Sequence, residues 1–498
     1  MAITVRGGVL QGIDAIPIQV EVDLLRRLPA VCVVGLPANA VRESAERIRS
    51  AIQSAGLEFP RHRVVINLAP ADVRKEGTAL DLSMALGILA ADGQVGEEAA
   101  RSVLAIGELS LGGALRRVRG ALSLALLARD LGVPLLLPAA SAGEAALVEG
   151  AEVYGAPSLE ATVAHLRRER LLPRAKAPAL ATQTFDVDLA DVRGQALARR
   201  ALEIAAAGGH HLLLMGPPGC GKSMLARRLP TILPPLRFAE AIETTRIHCA
   251  AGLGGSDPGL VRNRPFRAPH HSVTPAGLVG DRTLRPGEVS LAHHGVLFLD
   301  EATEFQRAAL ELLREPLEDG VVRLTRAAGT VEYPASITLV LASNPCPCGH
   351  RGSHHACQCS DGQVARYQRR LSGPLLDRID LYVELQPVPA AELLAAPPGE
   401  PSQAVRERVI AARTRQHDRG QAVPNGRLDA SDLDALVAPS AEARELLYMG
   451  VETHRLSGRA AHRLLKVART LADLEGADTV GPRHITEAFA YRPLAGLP

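Results

Sequence analysis

The chain has no tryptophan, and aromatic residues make up only 3% of its 498 positions. A binding mode built on many stacked aromatic platforms is therefore disfavoured. Long apolar runs are missing too. The most apolar stretch, 122–137, is broken by Arg129, Asp130 and Pro134, which excludes a bilayer span. The opening Met1-Ala-Ile-Thr-Val-Arg lacks the basic start and apolar core of a secretory signal, so the expected location is the cytoplasm, away from membranes. Strong charge of either sign is absent: the formal net charge is +2, and an anionic partner has to be met by a local basic patch. Cysteine is scarce, at seven residues, yet four of them crowd between Cys346 and Cys359. With no secretory signal, such crowding points to metal more than to disulfides.

What remains is the balance of a folded protein, 47% hydrophobic and 22% charged, long enough for about two to four domains. The pattern is α/β and multidomain. Residues 1–170 alternate β-rich runs (30–35, 63–68, 135–137) with helical patterns (40–54, 80–91, 121–131), which predicts a mixed α/β domain. A basic linker at 168–178 leads to a second alternating region, 188–388. The Pro- and Ala-rich stretch 386–403 reads as another linker. Beyond it, 402–498 is helical throughout, with helices expected at 402–419, 440–455, 458–474 and 482–491.

The second region carries the chemistry. His211-Leu-Leu-Leu-Met215 is a buried-strand pattern, followed directly by Gly216-Pro217-Pro218-Gly219-Cys220-Gly221-Lys222-Ser223 and then by a helical run opening at Met224. Strand, Gly-rich loop and helix in that order form a phosphate cradle, because bare backbone N–H groups and a helix N-terminus converge on one anion. Lys222 is suited to the β- and γ-phosphates of ATP and the Ser223 hydroxyl to Mg²⁺. Val296-Leu-Phe-Leu-Asp300-Glu301 is a second buried strand, delivering two carboxylates where ligands of open α/β sheets bind. Asp300 suits the Mg²⁺ shell, and Glu301 the base that polarises the attacking water. A third strand ends in Asn344, placed to orient that water or touch the γ-phosphate.

Other segments extend the pattern: Asp191-Val-Arg-Gly-Gln195, Arg264-Pro-Phe-Arg-Ala-Pro-His-His271, the run from Arg285 to Glu301, Asn344-Pro-Cys-Pro-Cys-Gly349 and Ser372-Gly-Pro-Leu-Leu-Asp-Arg-Ile-Asp380. Together they resemble the Mg-chelatase-like AAA+ family of bacteria, most closely its ComM/YifB group, over essentially the whole chain. The resemblance implies roles that spacing alone cannot supply. Arg378 matches an arginine finger reaching a neighbouring subunit's γ-phosphate; from the residues alone it could equally be a surface ion-pair residue. Arg459 matches a lid arginine that senses nucleotide in cis, and the segment from Asp191 to Gln195 one that lies near the adenine.

Cys346-x-Cys348 and Cys357-x-Cys359 offer four thiols for one structural Zn²⁺, with His350, His354 and His355 between them as substitutes; the alternative is four reduced thiols in a loop. Lys75-Glu-Gly-Thr-Ala-Leu-Asp81 and the segment 107–116 look like the Lon-protease domain. However, Ala79 stands where its serine nucleophile belongs and Leu122 about where its lysine does, which argues against proteolysis. Ser83 nearby reads as a packing residue.

Alternating apolar residues around 327–329 predict a β-hairpin. In the related clade this hairpin points into the pore of a ring, so Arg326 at its tip and Arg323 on its flank become DNA-contact candidates. Arg264, Arg267, His270 and His271 form a second basic stretch. Two departures from the family stand out: Asp281-Arg-Thr-Leu284 replaces a Gly-rich loop, and Ala302-Thr303 replaces Leu-Pro after the acidic pair. The resemblance implies a hexameric, ATP-driven motor acting on single-stranded or branched DNA, a branch-migration helicase of natural transformation. The rival reading is the motor subunit of a metal chelatase, and a third is a nucleotide-gated scaffold.

Overall fold

The computed structural model describes the chain except Met1, 36–38, 74, 76, 179–184, 254–258, 282, 327–328, 353–355, 389–396 and 493–498, and except the side chains at 39–42, 326 and 434. His354, His355, Arg282 and the Arg326 side chain therefore lie outside the described residues. Two compact units emerge, one of residues 1–181 with 241–261, the other of 182–240 with 262–498.

The first unit is built on a seven-stranded mixed sheet. Its spatial order is Ala30–Val34, Arg63–Ala69, Asp14–Leu25, Ile3–Gln11, Leu104–Ala105, Leu135–Pro138 and Val153–Ala156. Ile3–Gln11 and Asp14–Leu25 form a long antiparallel hairpin, while the pairings from Ile3–Gln11 to Val153–Ala156 are parallel. Helix Asp81–Ala91 is buried from Asp81 to Ala90. It approaches the hairpin so closely that a Cβ at Gly7 would meet Leu80 Cδ2 at 2.7 Å and Ser83 Oγ at 2.9 Å. The two segments quoted around Ala79 and Gly107 do meet, since the Gly107 N–H donates to the Ala79 carbonyl at 2.8 Å and the Leu82 N–H to that of Gly107 at 3.0 Å. Ser83 and Leu122 are both buried, and Ser83 Oγ donates to the Leu80 carbonyl at 3.0 Å.

The second unit holds a five-stranded parallel sheet in the order Phe266–Arg267, Val296–Leu299, Thr338–Ser343, Leu212–Met215 and Leu381–Glu384. Its central strands read as continuous apolar runs because both faces are covered. Leu212–Met215 pairs with Thr338–Ser343 on one side and Leu381–Glu384 on the other, in a register that sets Met215 opposite Ser343. The segments that continue these strands, 216–223, 300–301 and 344, consequently leave the sheet along one edge. After Gln386 the described residues are helical: Ser402–Asp418, Ala430–Leu436, Ala441–Thr453, Gly458–Glu475 and Pro482–Phe489. Buried residues from those helices, among them Val409, Leu464, Leu471 and Ile485, belong to the same apolar core as Leu202, Leu214 and Leu229. Among the described residues, no helix is long and apolar enough to cross a membrane.

Candidate active site

The loop after Leu212–Met215 turns on two glycines in left-handed backbone conformations, Gly219 at φ 79° and Gly221 at φ 94°, where a side chain would be strained. A Cβ at either would meet nothing within 4 Å, so the loop presents bare backbone to open space at the start of helix Lys222–Ile232. Lys222 folds back over it. The residue is 9% exposed, and its ammonium donates to the carbonyls of Gly216 (2.6 Å) and Pro217 (2.9 Å) and to Asn344 Oδ1 (3.1 Å). Burial lowers its pKa, opposed by the Cys220 thiol and by the Asp300 and Glu301 carboxylates. A partly desolvated ammonium held on neutral oxygens, with no ion pair among the described residues, fits an incoming phosphate.

Ser223 Oγ donates to Asp300 Oδ2 at 2.6 Å, which couples the helix start to the end of the adjacent acidic strand. A hydroxyl and a carboxylate side by side are the hard oxygen donors that suit Mg²⁺. The other Asp300 oxygen accepts the Glu301 N–H at 3.0 Å. Glu301 itself sits at φ 51°, a left-handed conformation that costs a non-glycine residue of order 1–3 kcal/mol. That turn leaves its carboxylate more than half exposed, with His271 Nδ1 3.7 Å away. The structure thus forms two hydrogen-bonded pairs at the loop, Lys222 with Asn344 and Ser223 with Asp300, and leaves Glu301 next to the second.

Gln195 also adopts a left-handed conformation, at φ 50°. Its Nε2 donates to the carbonyls of Cys220 (3.3 Å) and Gln386 (2.7 Å), which ties the 191–195 segment to the loop. Arg228, which the sequence reading passed over, secures the same segment: Nη2 donates to Asp191 Oδ2 at 2.7 Å and Nε to the Asp188 carbonyl at 2.7 Å.

Arg378 and Arg459 form a separate group. Arg378 is buried; Nη1 donates to the Pro374 carbonyl at 2.7 Å and Nη2 to Glu318 Oε2, while Nε is buried without a partner among the described residues. Arg459 Nη2 donates to Glu318 Oε1 at 2.6 Å. The Arg378 guanidinium, followed by that of Arg459, holds the Glu318 carboxyl below the usual range. Glu318 is the residue that sequence reasoning missed. It lies 60 and 141 positions from its two partners, and no local spacing signals it.

Beyond Asn344 the four cysteines close on one another. Cys346, Cys348 and Cys357 sulfurs lie 3.4, 3.6 and 3.7 Å apart, and Cys359 belongs to the same cluster within 4.8 Å. Four thiolates at the Zn–S distance of about 2.3 Å would stand about 3.8 Å apart, so the donor set and spacing fit zinc. The Arg351 N–H donates to Cys346 Sγ at 3.4 Å, and the His350 N–H helps hold the Cys348 thiol down to about 6.

The hairpin expected around 327–329 is present as Val321–Arg326 and Gly329–Pro334. Arg323 is enclosed by acids, pairing with Glu332 (2.8 Å), Glu315 (3.1 Å) and Asp319 (3.1 Å). In the other basic stretch, Arg267 forms a two-pronged pair with Glu288 at 2.6 and 2.7 Å. Arg264 turns inward to the carbonyls of Pro234 and His294 and to Glu240.

Comparison with known proteins agrees along the chain. Family descriptions match consecutive parts: "Subunit ChlI of Mg-chelatase" over residues 20–141, "Magnesium chelatase, subunit ChlI" over 188–393, and its C-terminal region over 399–492. The chain is 44% identical over 497 residues to the protein YifB of Salmonella typhimurium, covering 98% of this chain and 96% of that one. It is 40% identical over 503 residues to the competence protein ComM of Haemophilus influenzae, with the same coverage of 98% and 96%. A shorter match, 29% over 179 residues, joins 36% of this chain to 23% of an Arabidopsis thaliana protein named "Probable DNA helicase MCM9". The chain belongs to the Mg-chelatase-like AAA+ ATPases, within the ComM/YifB group.

Proposed function

We propose that this protein is an ATP-driven, ring-forming DNA motor, a branch-migration helicase serving recombination of incoming DNA in natural transformation. The observation that carries the ATPase half is the group Lys222–Asn344 and Ser223–Asp300, which joins the loop to the ends of two strands. Lys222 would bind the β- and γ-phosphates, and Asn344 and Glu301 would position and polarise the attacking water. Ser223 and Asp300 would hold Mg²⁺, which when bound neutralises charge on the phosphates. Arg378 is read as the finger that completes a neighbouring subunit's site. Arg459, sharing Glu318 with it, is read as part of the same edge.

The DNA half is supported by the name of the ComM relative, by the partial match to a helicase, and by the hairpin carrying Arg323 and Arg326. The acidic enclosure of Arg323 shifts more of the expected DNA contact to Arg326. The first unit is read as a Lon-type domain without its nucleophile, retained for assembly or for DNA contact. Zinc in the cysteine cluster is read as a clip on the loop after Asn344.

The test is ATP hydrolysis with and without forked or four-way DNA, alongside branch migration. Stimulation by branched DNA, abolished in Lys222→Ala, supports the reading. Hydrolysis without DNA response or branch migration would leave only the ATPase and favour the chelatase-motor alternative suggested by the family name.

A further inference from the structure

The strands of the five-stranded sheet end at the candidate nucleotide site. Their beginnings open onto something different. A cavity of about 490 Å³ lies at this opposite edge, lined by Gly209 and Gly295, which precede two of the strands, by Thr338, which begins a third, and by residues of helix Ser402–Asp418 and the turn that follows it. That volume is within the range of small-molecule sites, roughly 300–1,000 Å³.

Among the described residues, four arginines line it, Arg237, Arg264, Arg413 and Arg427, with one acidic residue, Glu240. Glu240 is shared between Arg264 (3.0 Å) and Arg237 (3.3 Å). Arg427 rests on Ser336 Oγ and the Ile337 carbonyl, and Arg413 donates Nε and Nη2 to the Ala206 carbonyl. Neither Arg413 nor Arg427 forms an ion pair among the described residues. Burial pushes Arg413 down to about 9 and Arg427 down to about 10, and for Arg413 the charges of Arg264 and Arg427 add to the effect. Capping explains part of this, because Arg413 and Gln416 satisfy the carbonyls of Ala206 and Ala207 at the end of helix Ala196–Gly208. It does not explain why desolvated cations of like charge outnumber their counter-charge around a cavity. A bound anion would relieve that repulsion. Leu233, Ile410, Val423 and Pro424 give the wall an apolar part, beside polar residues such as Thr338, Thr414 and Gln421.

We propose that this cavity is a second ligand site, separate from the nucleotide loop, for a small phosphate monoester. Its anionic head is held by Arg413 and Arg237, and its apolar or planar body lies against Ile410, Val423 and Pro424. Three of the four arginines, Arg264, Arg413 and Arg427, gather around a cavity rather than along a surface track, which favours a small molecule over a nucleic-acid backbone.

The experiment is calorimetric titration of the full chain with phenyl phosphate. The nucleotide loop is saturated beforehand with Mg²⁺ and a non-hydrolysable ATP analogue, and inorganic phosphate serves as the head-only control. The expected result is saturable binding, weaker at high salt, tighter for the ester than for inorganic phosphate, and at least about tenfold weaker in Arg413→Gln and in Arg237→Ala. Arg237 is an exposed rim residue, so its variant keeps the test decisive if Arg413→Gln fails to fold. No saturable binding, or binding that both substitutions leave unchanged, overturns the proposal. Equal affinity for inorganic phosphate overturns its apolar half. Displacement by a single-stranded oligonucleotide that loses affinity in the same variants would reassign the cavity to DNA.

Discussion

Arg378 and Arg459 donate to opposite oxygens of one carboxylate, that of Glu318. One arginine follows the short helix Gly373–Leu376 and the other opens the long helix Gly458–Glu475, so Glu318 joins the sheet-bearing part of the second unit to its C-terminal helices. Neither guanidinium belongs to the group around Lys222. If Arg378 acts across an interface, Lys222→Ala and Arg378→Ala damage different halves of a shared site. Each variant alone should lose ATP hydrolysis, by about 10³-fold or more in kcat for Arg378→Ala. Mixed in equal amounts they should regain a measurable fraction, since a Lys222→Ala subunit can lend its intact arginine to an Arg378→Ala neighbour. Mixing that restores nothing, under conditions where the variants co-assemble, would refute action in trans.

Glu318 itself should matter more to catalysis than to folding. Its carboxylate is about half exposed although Arg378 is buried, so solvent screens the pair and its contribution stays at about 1 kcal/mol. Its depressed pKa means that this contribution is complete above the ordinary glutamate range and is lost as pH falls through the folded-state value. Glu318→Gln should therefore leave thermal stability at pH 7 nearly unchanged. It should lower kcat, because two guanidinium groups lose the anchor that orients them. A large fall in Tm with unaltered kcat would show that the pair is only structural.

Asp380 gives the opposite balance. Burial pushes its carboxyl up, but the hydrogen bond from His210 and the nearby charges of His210 and Arg463 together hold it well below the usual carboxylate range. It also accepts the His211 N–H at 3.2 Å, just before the strand that leads to the nucleotide loop. Asp380→Asn leaves Arg463 buried without its counter-charge, which should cost about 3 kcal/mol at pH 7. A depressed folded-state pKa stabilises above the unfolded value of about 3.9 and loses that effect as the folded value is approached from above. The gap in denaturant midpoint between wild type and Asp380→Asn should accordingly narrow below about pH 4. A gap independent of pH would point to lost packing instead.

Much of this architecture was legible because its signals are local. The loop from Gly216 to Ser223 announces itself through two glycines and its flanking strand and helix, and the C-terminal helices through periodicity. Helix 121–131 was expected and Ala121–Asp130 is found; strand 63–68 was expected and Arg63–Ala69 is found. The long hairpin of Ile3–Gln11 and Asp14–Leu25 was not foreseen, since Gly7, Gly8 and Pro17 interrupt its alternation. Those glycines are there because a helix packs against the strand with no room for a Cβ at Gly7. Glu318 was illegible for a different reason. Its value lies in two partners far away in sequence, and tertiary packing alone brings them together.

The cysteine cluster should carry one zinc per chain. Sulfurs 3.4–3.7 Å apart need a cation or protons between them, because neighbouring thiolates repel. Metal analysis of the purified protein should find stoichiometric zinc, lost in Cys357→Ser together with several degrees of Tm. The clip begins two residues after Asn344, so the variant should also lower kcat through that side chain. Absence of zinc from the unmodified protein ends this reading.

The last prediction separates the two hairpin arginines. Arg323 and Arg326 carry the same charge, but Arg323 lies directly opposite Glu332 in the register and also holds Glu315 and Asp319. To neutralise a phosphate it would have to abandon three carboxylates. Arg326 stands at the end of its strand, opposite Gly329 in the register. Arg326→Ala should therefore weaken DNA stimulation of ATP hydrolysis about tenfold and flatten its salt dependence by about one released counterion, with basal hydrolysis retained. Arg323→Ala should instead loosen the hairpin, lowering stability slightly and DNA response less. Equal losses of DNA response in the two variants, at equal stability, would mean that the acids around Arg323 release it when DNA arrives.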